Sequence, residues 1–138
     1  MSGTTEEHYF RQDQADGITP PNLGVNCTYA EHIVRARGKK SQYTSVSLDE
    51  KKIRDFGPQT YVLDQGHSLV KHQDLLAGLR QAAVSSDKAE RNRAIQAQRY
   101  ARRRMEGLVD WNFDIGQVER KDLITWSARS VQPYFLRF

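Results

Sequence analysis

The stretch Ser41-Gln42-Tyr43-Thr44-Ser45-Val46-Ser47 constrains the fold of this chain more than any other. Aromatic and β-branched residues alternate there with hydroxyls. That is the pattern of a strand with one face in a core and the other lined by Ser and Thr oxygens. A helix start follows at once: Ser47 and Glu50 stand three apart as a capping box, and Leu48 opens the helix. Gly57-Pro58 then stops it. The expected unit is a hydroxyl-lined strand running into a short helix over 48–56. Such a unit suits a site that grips a polar ligand better than it suits a plain core.

Composition sets the outer bounds. A chain of 138 residues is the size of one domain. It can bury a core, although its hydrophobic fraction of 38% is low for a globular protein. The formal net charge of +4 is compatible with a polyanionic partner and equally with a merely soluble basic surface. A single cysteine, Cys27, excludes an internal disulfide framework and a cysteine-built metal cluster. No apolar run approaches membrane-spanning length. Met1 to Gln14 is polar, with no signal-peptide core. Secretion, if it occurs, is expected to use a route without a classical signal.

Along the chain, α and β signals are mixed. Residues 1–28 read as an irregular lead segment punctuated by Gly17, Pro20, Pro21 and Gly24. Residues 30–36 read as a short strand centred on Ile33 and Val34, and Gly38-Lys39-Lys40 as a turn. A strand is expected at 60–63 and a helix over 69–81 with Leu75, Leu76 and Leu79 as its buried stripe. Asp87 and Glu90 form a capping pair for a long helix to about Met105, where Ala94, Ala97, Ala101 and Met105 share one side. Gly107-Leu108-Val109 begins another extended stretch. Residues 124–126 and 131–138 close the chain with apolar and aromatic alternation. The expected fold is a single α+β domain over 29–138.

The helix over 88–104 carries Lys88, Arg91, Arg93, Arg99, Arg102, Arg103 and Arg104. The ordinary reading is a solvated face. The functional readings are a phosphate-tracking surface for RNA or DNA, or a docking face for an acidic inhibitor protein. Tyr100 is the only aromatic in the run, so single-strand stacking has little support. The histidines make no metal site: His67 and His72 are five apart, and no acid or cysteine completes a set. His32 stands apart. It precedes an apolar pair just upstream of the hydroxyl strand, as either a half-buried structural histidine or a ligand-binding one.

His32-Ile33-Val34-Arg35, a loop, then Tyr43-Thr44-Ser45-Val46-Ser47 and a small helix resemble the front half of ADP-ribosyltransferase toxin domains. Tyr43 stands at the family's aromatic position. Ser45-Val46-Ser47 stands for its Ser–Thr–Ser motif, with Val46 as a departure. The resemblance covers roughly residues 29–126. It implies an ADP-ribosyltransferase-like split β-sandwich with flanking helices. NAD would be the substrate, held by His32 or Arg35 together with Tyr43 and Thr44, with no metal. His32 and Arg35 are three apart, so on a regular strand they face opposite ways and do not share a pocket without a bulge.

The family also uses one late-strand glutamate, oriented by the motif serine, here Ser45, to stabilise the oxocarbenium-like state as nicotinamide leaves. Glu106, entering Glu106-Gly107-Leu108-Val109, is the favoured match. Glu119, in Gln117-Val118-Glu119, is the alternative. The resemblance further implies a secreted effector of interbacterial competition, delivered into a target-cell cytoplasm. It would modify a protein or RNA acceptor and be restrained by an acidic immunity protein, with no membrane partner. The alternative is a non-enzymatic nucleic-acid-binding module working through the Arg-rich helix 88–104. A third and weaker reading is a nuclease with His32 as general base, for which no second acid–base partner stands out.

Overall fold

The hydroxyl-lined segment forms strand β2, Tyr43–Ser47, and its partner is the acid-led strand β5, Glu106–Asp110. The two run antiparallel in register along their full length, with Tyr43 opposite Asp110 and Ser47 opposite Glu106. This computed structural model describes residues 8–22, 25–35, 40–63, 69–111 and 135–137. The other strands are β1 (Phe10–Asp13), β3 (Gln59–Leu63), β4 (Leu69–Val70) and β6 (Phe135–Arg137). All join one antiparallel sheet in the order β4-β5-β2-β1-β3-β6. The helices are α1 (Tyr29–Ile33), α2 (His72–Ala82) and α3 (Lys88–Arg104). The fold is mixed α and β, with a six-stranded sheet and several helices among the described residues.

Two apolar clusters flank β2 and β5. One is helical: Ala30 and Ile33 of α1, Leu75 and Leu79 of α2, and Ala94, Ala97 and Ala101 of α3 pack on Leu108. Alanines three and four apart keep that side of α3 narrow, so it seats closely on its neighbours. The other gathers Tyr9, Ile18, Val46, Tyr61, Val109, Trp111 and Phe135. Adjacent residues Leu108 and Val109 join different clusters, as the two-residue period of a strand requires.

Capping sets the helix ends. Asp87 accepts from the Ala89 amide at the start of α3. Glu90, expected as its capping partner, instead accepts from the Ser85 hydroxyl at 3.0 Å. Met105 closes α3 in the left-handed conformation (φ 48°) and sends the chain directly into β5. The junction is tied back to β2: the Ser47 hydroxyl bonds the Arg104 carbonyl, and the Leu48 amide donates to the Met105 carbonyl at 3.1 Å.

Several expectations are corrected. The segment 1–28 is not all irregular, because Phe10–Asp13 forms β1 between β2 and β3. Residues 30–35 do not make a strand. Thr28 accepts from the Glu31 amide and Glu31 accepts from the Thr28 amide, a complete capping box that starts α1. The helix over 48–56 is a pair of 3₁₀ turns over Glu50–Phe56, broken at Ile53, with Asp49 as its cap in place of Ser47. Leu69 and Val70 belong to β4, so α2 begins only at His72. Residues 38 and 39 of the expected turn at 38–40, and the stretch 124–126, lie outside the described residues.

Gly107 marks the closest packing on β5. A Cβ there would stand 2.7 Å from the Tyr9 ring and 3.0 Å from the Val70 carbonyl oxygen. Both lie below ordinary van der Waals contact, and the backbone oxygen is held in the β4–β5 ladder. Gly107→Ala is expected to lower unfolding free energy by about 1–3 kcal/mol through overpacking. Urea denaturation checks this, and an unchanged midpoint would show that Tyr9 yields freely.

Candidate active site

Register brings Ser45 and Glu106 together. Ser47 is opposite Glu106, so Ser45, two residues along the same face, is its diagonal neighbour. The Ser45 hydroxyl donates to Glu106 Oε2 at 3.0 Å. Glu106 is 0% exposed, a rare state for a carboxylate. Its Oε1 accepts no hydrogen bond among the described residues, and Arg104 Nη1 stands 3.8 Å away. The Glu106 carbonyl accepts from His72 Nδ1 at 2.8 Å, and the His72 amide donates to the Tyr9 hydroxyl. The backbone that carries the carboxyl is thereby pinned from α2.

His32 reaches the same point from α1. Its Nε2 lies 2.7 Å from Ser45 Oγ and its Nδ1 2.7 Å from Ser41 Oγ. The Tyr43 ring meets the imidazole edge-on at 5.5 Å between centroids, with Tyr29 behind Tyr43 at 5.6 Å. Helix α1 ends at Ile33, and Arg35 beyond it turns in the left-handed conformation (φ 56°). His32 and Arg35 both line the cleft, which corrects the expectation that they face apart.

The cleft encloses about 360 Å³, within the range of small-ligand sites. Cations converge on it: Arg11, Arg35, Lys40 and Arg104. Arg11 and Arg104 both lie over the Phe56 ring, at 5.0 and 5.1 Å from its centroid. Arg11 also donates to the Ser45 carbonyl at 3.0 Å and pairs with the buried Asp13 at 2.9 Å. Nothing in Phe10-Arg11-Gln12-Asp13 distinguishes this arginine locally; only its place on β1 beside β2 brings it into the site.

Other expected site residues fare differently. Thr44 also lines the cleft, and its hydroxyl accepts from the buried Trp111 indole at 2.7 Å. Glu119 lies outside the described residues. The basic helix is only partly free, because Arg104 belongs to the cleft and Arg91 bonds the Ser85 carbonyl. Arg99, Arg102 and Arg103 remain exposed.

Burial drives Glu106 and His32 in opposite directions, because it disfavours whichever form is charged. It raises the Glu106 carboxyl to about 7, against the Ser45 hydrogen bond and the nearby Arg104, Arg11 and Arg35. It lowers His32 to about 4, helped by Arg11, Arg35 and Arg104. At neutral pH the imidazole is therefore neutral, and the carboxyl sits near its midpoint.

Comparison with protein-family models, with curated proteins and with solved structures returned no match.

The raised Glu106 pKa links stability to pH. Between its unfolded value of 4.5 and about 7, the folded chain holds a proton that the unfolded chain has lost. That contribution is complete below about pH 4.5 and disappears as pH rises through 7. His32 works the other way: its contribution is present above 6.5 and lost as pH falls towards 4. Glu106→Gln removes the first effect and leaves the second. Relative to the parent chain, its unfolding free energy is expected to improve by about 3 kcal/mol between pH 5 and pH 8. Urea denaturation of both proteins at the two pH values tests this, and a constant difference would mean that Glu106 titrates as an ordinary carboxylate.

Proposed function

We propose that this chain is an ADP-ribosyltransferase with NAD as substrate, of the toxin type, modifying a protein or structured RNA. One observation carries the reading: a serine on β2 donates to a fully buried glutamate on the adjacent strand, beside a cationic cleft. On this reading the sheet and its helices correspond to the split β-sandwich of that family. Arg11 takes the place on the first strand that Ala30–Ala36 was expected to supply.

The cleft chemistry is suited to the substrate. A dinucleotide presents two phosphates, two riboses and two flat bases. Arg11, Arg35 and Arg104 supply phosphate partners, with guanidinium forks that match phosphate geometry. Tyr43 and Phe56 supply aromatic surface. The reaction breaks the bond between the ribose C1′ and nicotinamide, whose ring nitrogen keeps the electron pair. A nucleophile of the acceptor then bonds to C1′ and releases its proton.

Between those events positive charge builds on the ribose, and an ionised Glu106 stabilises it from a site of low dielectric. Ser45 orients the carboxylate. Glu106 shows no surface in this structure, so the reading requires Arg104 to leave Oε1 as it engages a substrate phosphate. The exposed Arg99, Arg102 and Arg103 suit a polyanionic acceptor or an acidic immunity protein.

The test is incubation of the purified chain with NAD labelled on its adenine side, in a bacterial lysate with and without RNase. Label on protein or RNA is expected. Glu106→Gln should lower it at least about a hundredfold and Ser45→Ala about tenfold or more. Activity should rise with pH through about 7, as Glu106 ionises. Free nicotinamide without label transfer would redirect the reading to a glycohydrolase. Neither product, with nucleic acid still bound and binding lost in Arg102→Ala/Arg103→Ala, would replace it with the nucleic-acid-binding alternative.

A further inference from the structure

We infer that Ser41 and His32 are positioning residues, heading a one-way hydrogen-bond chain that commits the single Ser45 proton to Glu106. The catalytic part of this inference rests on the function proposed above, whereas the direction of the chain rests on the hydrogen-bond geometry with Glu106 ionised and His32 neutral. Four side chains stand in file: Ser41 Oγ to His32 Nδ1 at 2.7 Å, His32 Nε2 to Ser45 Oγ at 2.7 Å, and Ser45 Oγ to Glu106 Oε2 at 3.0 Å.

Each hydrogen follows from counting donors. An ionised carboxylate only accepts, and a hydroxyl has one proton to give. Ser45 therefore donates to Glu106, and its oxygen must accept from His32, so Nε2 carries the ring hydrogen. Near pH 8 the imidazole is neutral and has only one N–H. Nδ1 is then bare and accepts from Ser41. The Ser41 oxygen in turn receives the Tyr43 backbone amide at 3.1 Å.

Two consequences follow. Both His32 nitrogens are engaged within the protein, so the ring orients Ser45 and does not hold NAD. Ser41 also becomes the residue that selects the tautomer. Without its hydroxyl, the imidazole gains access to the form protonated at Nδ1. Nε2 would then compete with Glu106 for the Ser45 proton, and the carboxylate would lose its fixed partner for part of the time. Ser41 is only 7% exposed, so water does not readily take over its role.

The experiment is long-range proton–nitrogen correlation on the full chain labelled with ¹⁵N-histidine, near pH 8. The His32 signals are assigned by their loss in His32→Gln. The ring is expected wholly as the Nε2–H tautomer in the parent chain and as a mixture in Ser41→Ala. An Nδ1–H tautomer or an imidazolium in the parent chain overturns the chain of donors.

Nicotinamide release is measured alongside. Ser41→Ala should lower kcat about tenfold with KM for NAD unchanged, and Ser41→Thr, which keeps the hydroxyl, should restore most of it. A raised KM at constant kcat overturns the positioning role and makes this region a substrate contact. A parent chain that releases no nicotinamide overturns the function and the positioning role with it. The tautomer still decides the hydrogen-bond direction separately.

Discussion

The site depends on the pairing of β2 with β5. Five residue pairs in one register place Ser45 diagonally beside Glu106 and bury both. A slip of one residue would turn the side chains of the slipped strand to the opposite face, taking the serine and the carboxyl out of contact with each other. The pairing is guarded at both ends. The Trp111 amide donates to the Gln42 carbonyl at one end, and the Leu48 amide to the Met105 carbonyl at the other. Helix α3 feeds β5 through a single left-handed residue, so its buried alanines also fix where Glu106 begins.

A buried carboxyl is costly unless neighbours compensate it. Here compensation is incomplete among the described residues: one oxygen has the Ser45 hydroxyl, and the other has only a guanidinium at 3.8 Å. Arg104 is shared in turn with Phe56, Tyr100 and Asp55. The carboxyl therefore keeps a pKa near neutrality, where a small change in its surroundings switches its charge. A group needed only when charge develops on a ligand gains from this arrangement, because its environment is set before the ligand arrives.

Much of the molecule was readable in order along the chain. The alternation in Tyr43–Ser47 marked a strand, the alanine spacing marked the buried side of α3, and the acid leading Gly107-Leu108-Val109 pointed to Glu106. Other parts were misread for local reasons. Ile33-Val34 drew a strand assignment because β-branched residues favour extended backbone, whereas the Thr28–Glu31 capping box upstream decided for a helix. Leu69 and Val70 continue the apolar pattern of α2 in sequence, yet pair with β5 as β4. Phe10–Asp13 is too short and too polar to declare itself; it becomes a strand because β2 and β3 offer it partners on both sides.

By itself, then, the sequence determined the local grammar: which residues cap, which alternate, and which strand carries hydroxyls and which an acid. Those are properties of near neighbours in the chain, set by backbone sterics and side-chain spacing. Only the tertiary structure decided that Arg11 belongs to the site, that His32 and Arg35 line one cleft, that the Thr44 hydroxyl meets the Trp111 indole, and that Ser41 closes on His32. Each of these depends on contacts between residues distant in sequence. The pKa values of Glu106 and His32 are of the same kind, because burial and the field of three arginines exist only once the chain has folded around them.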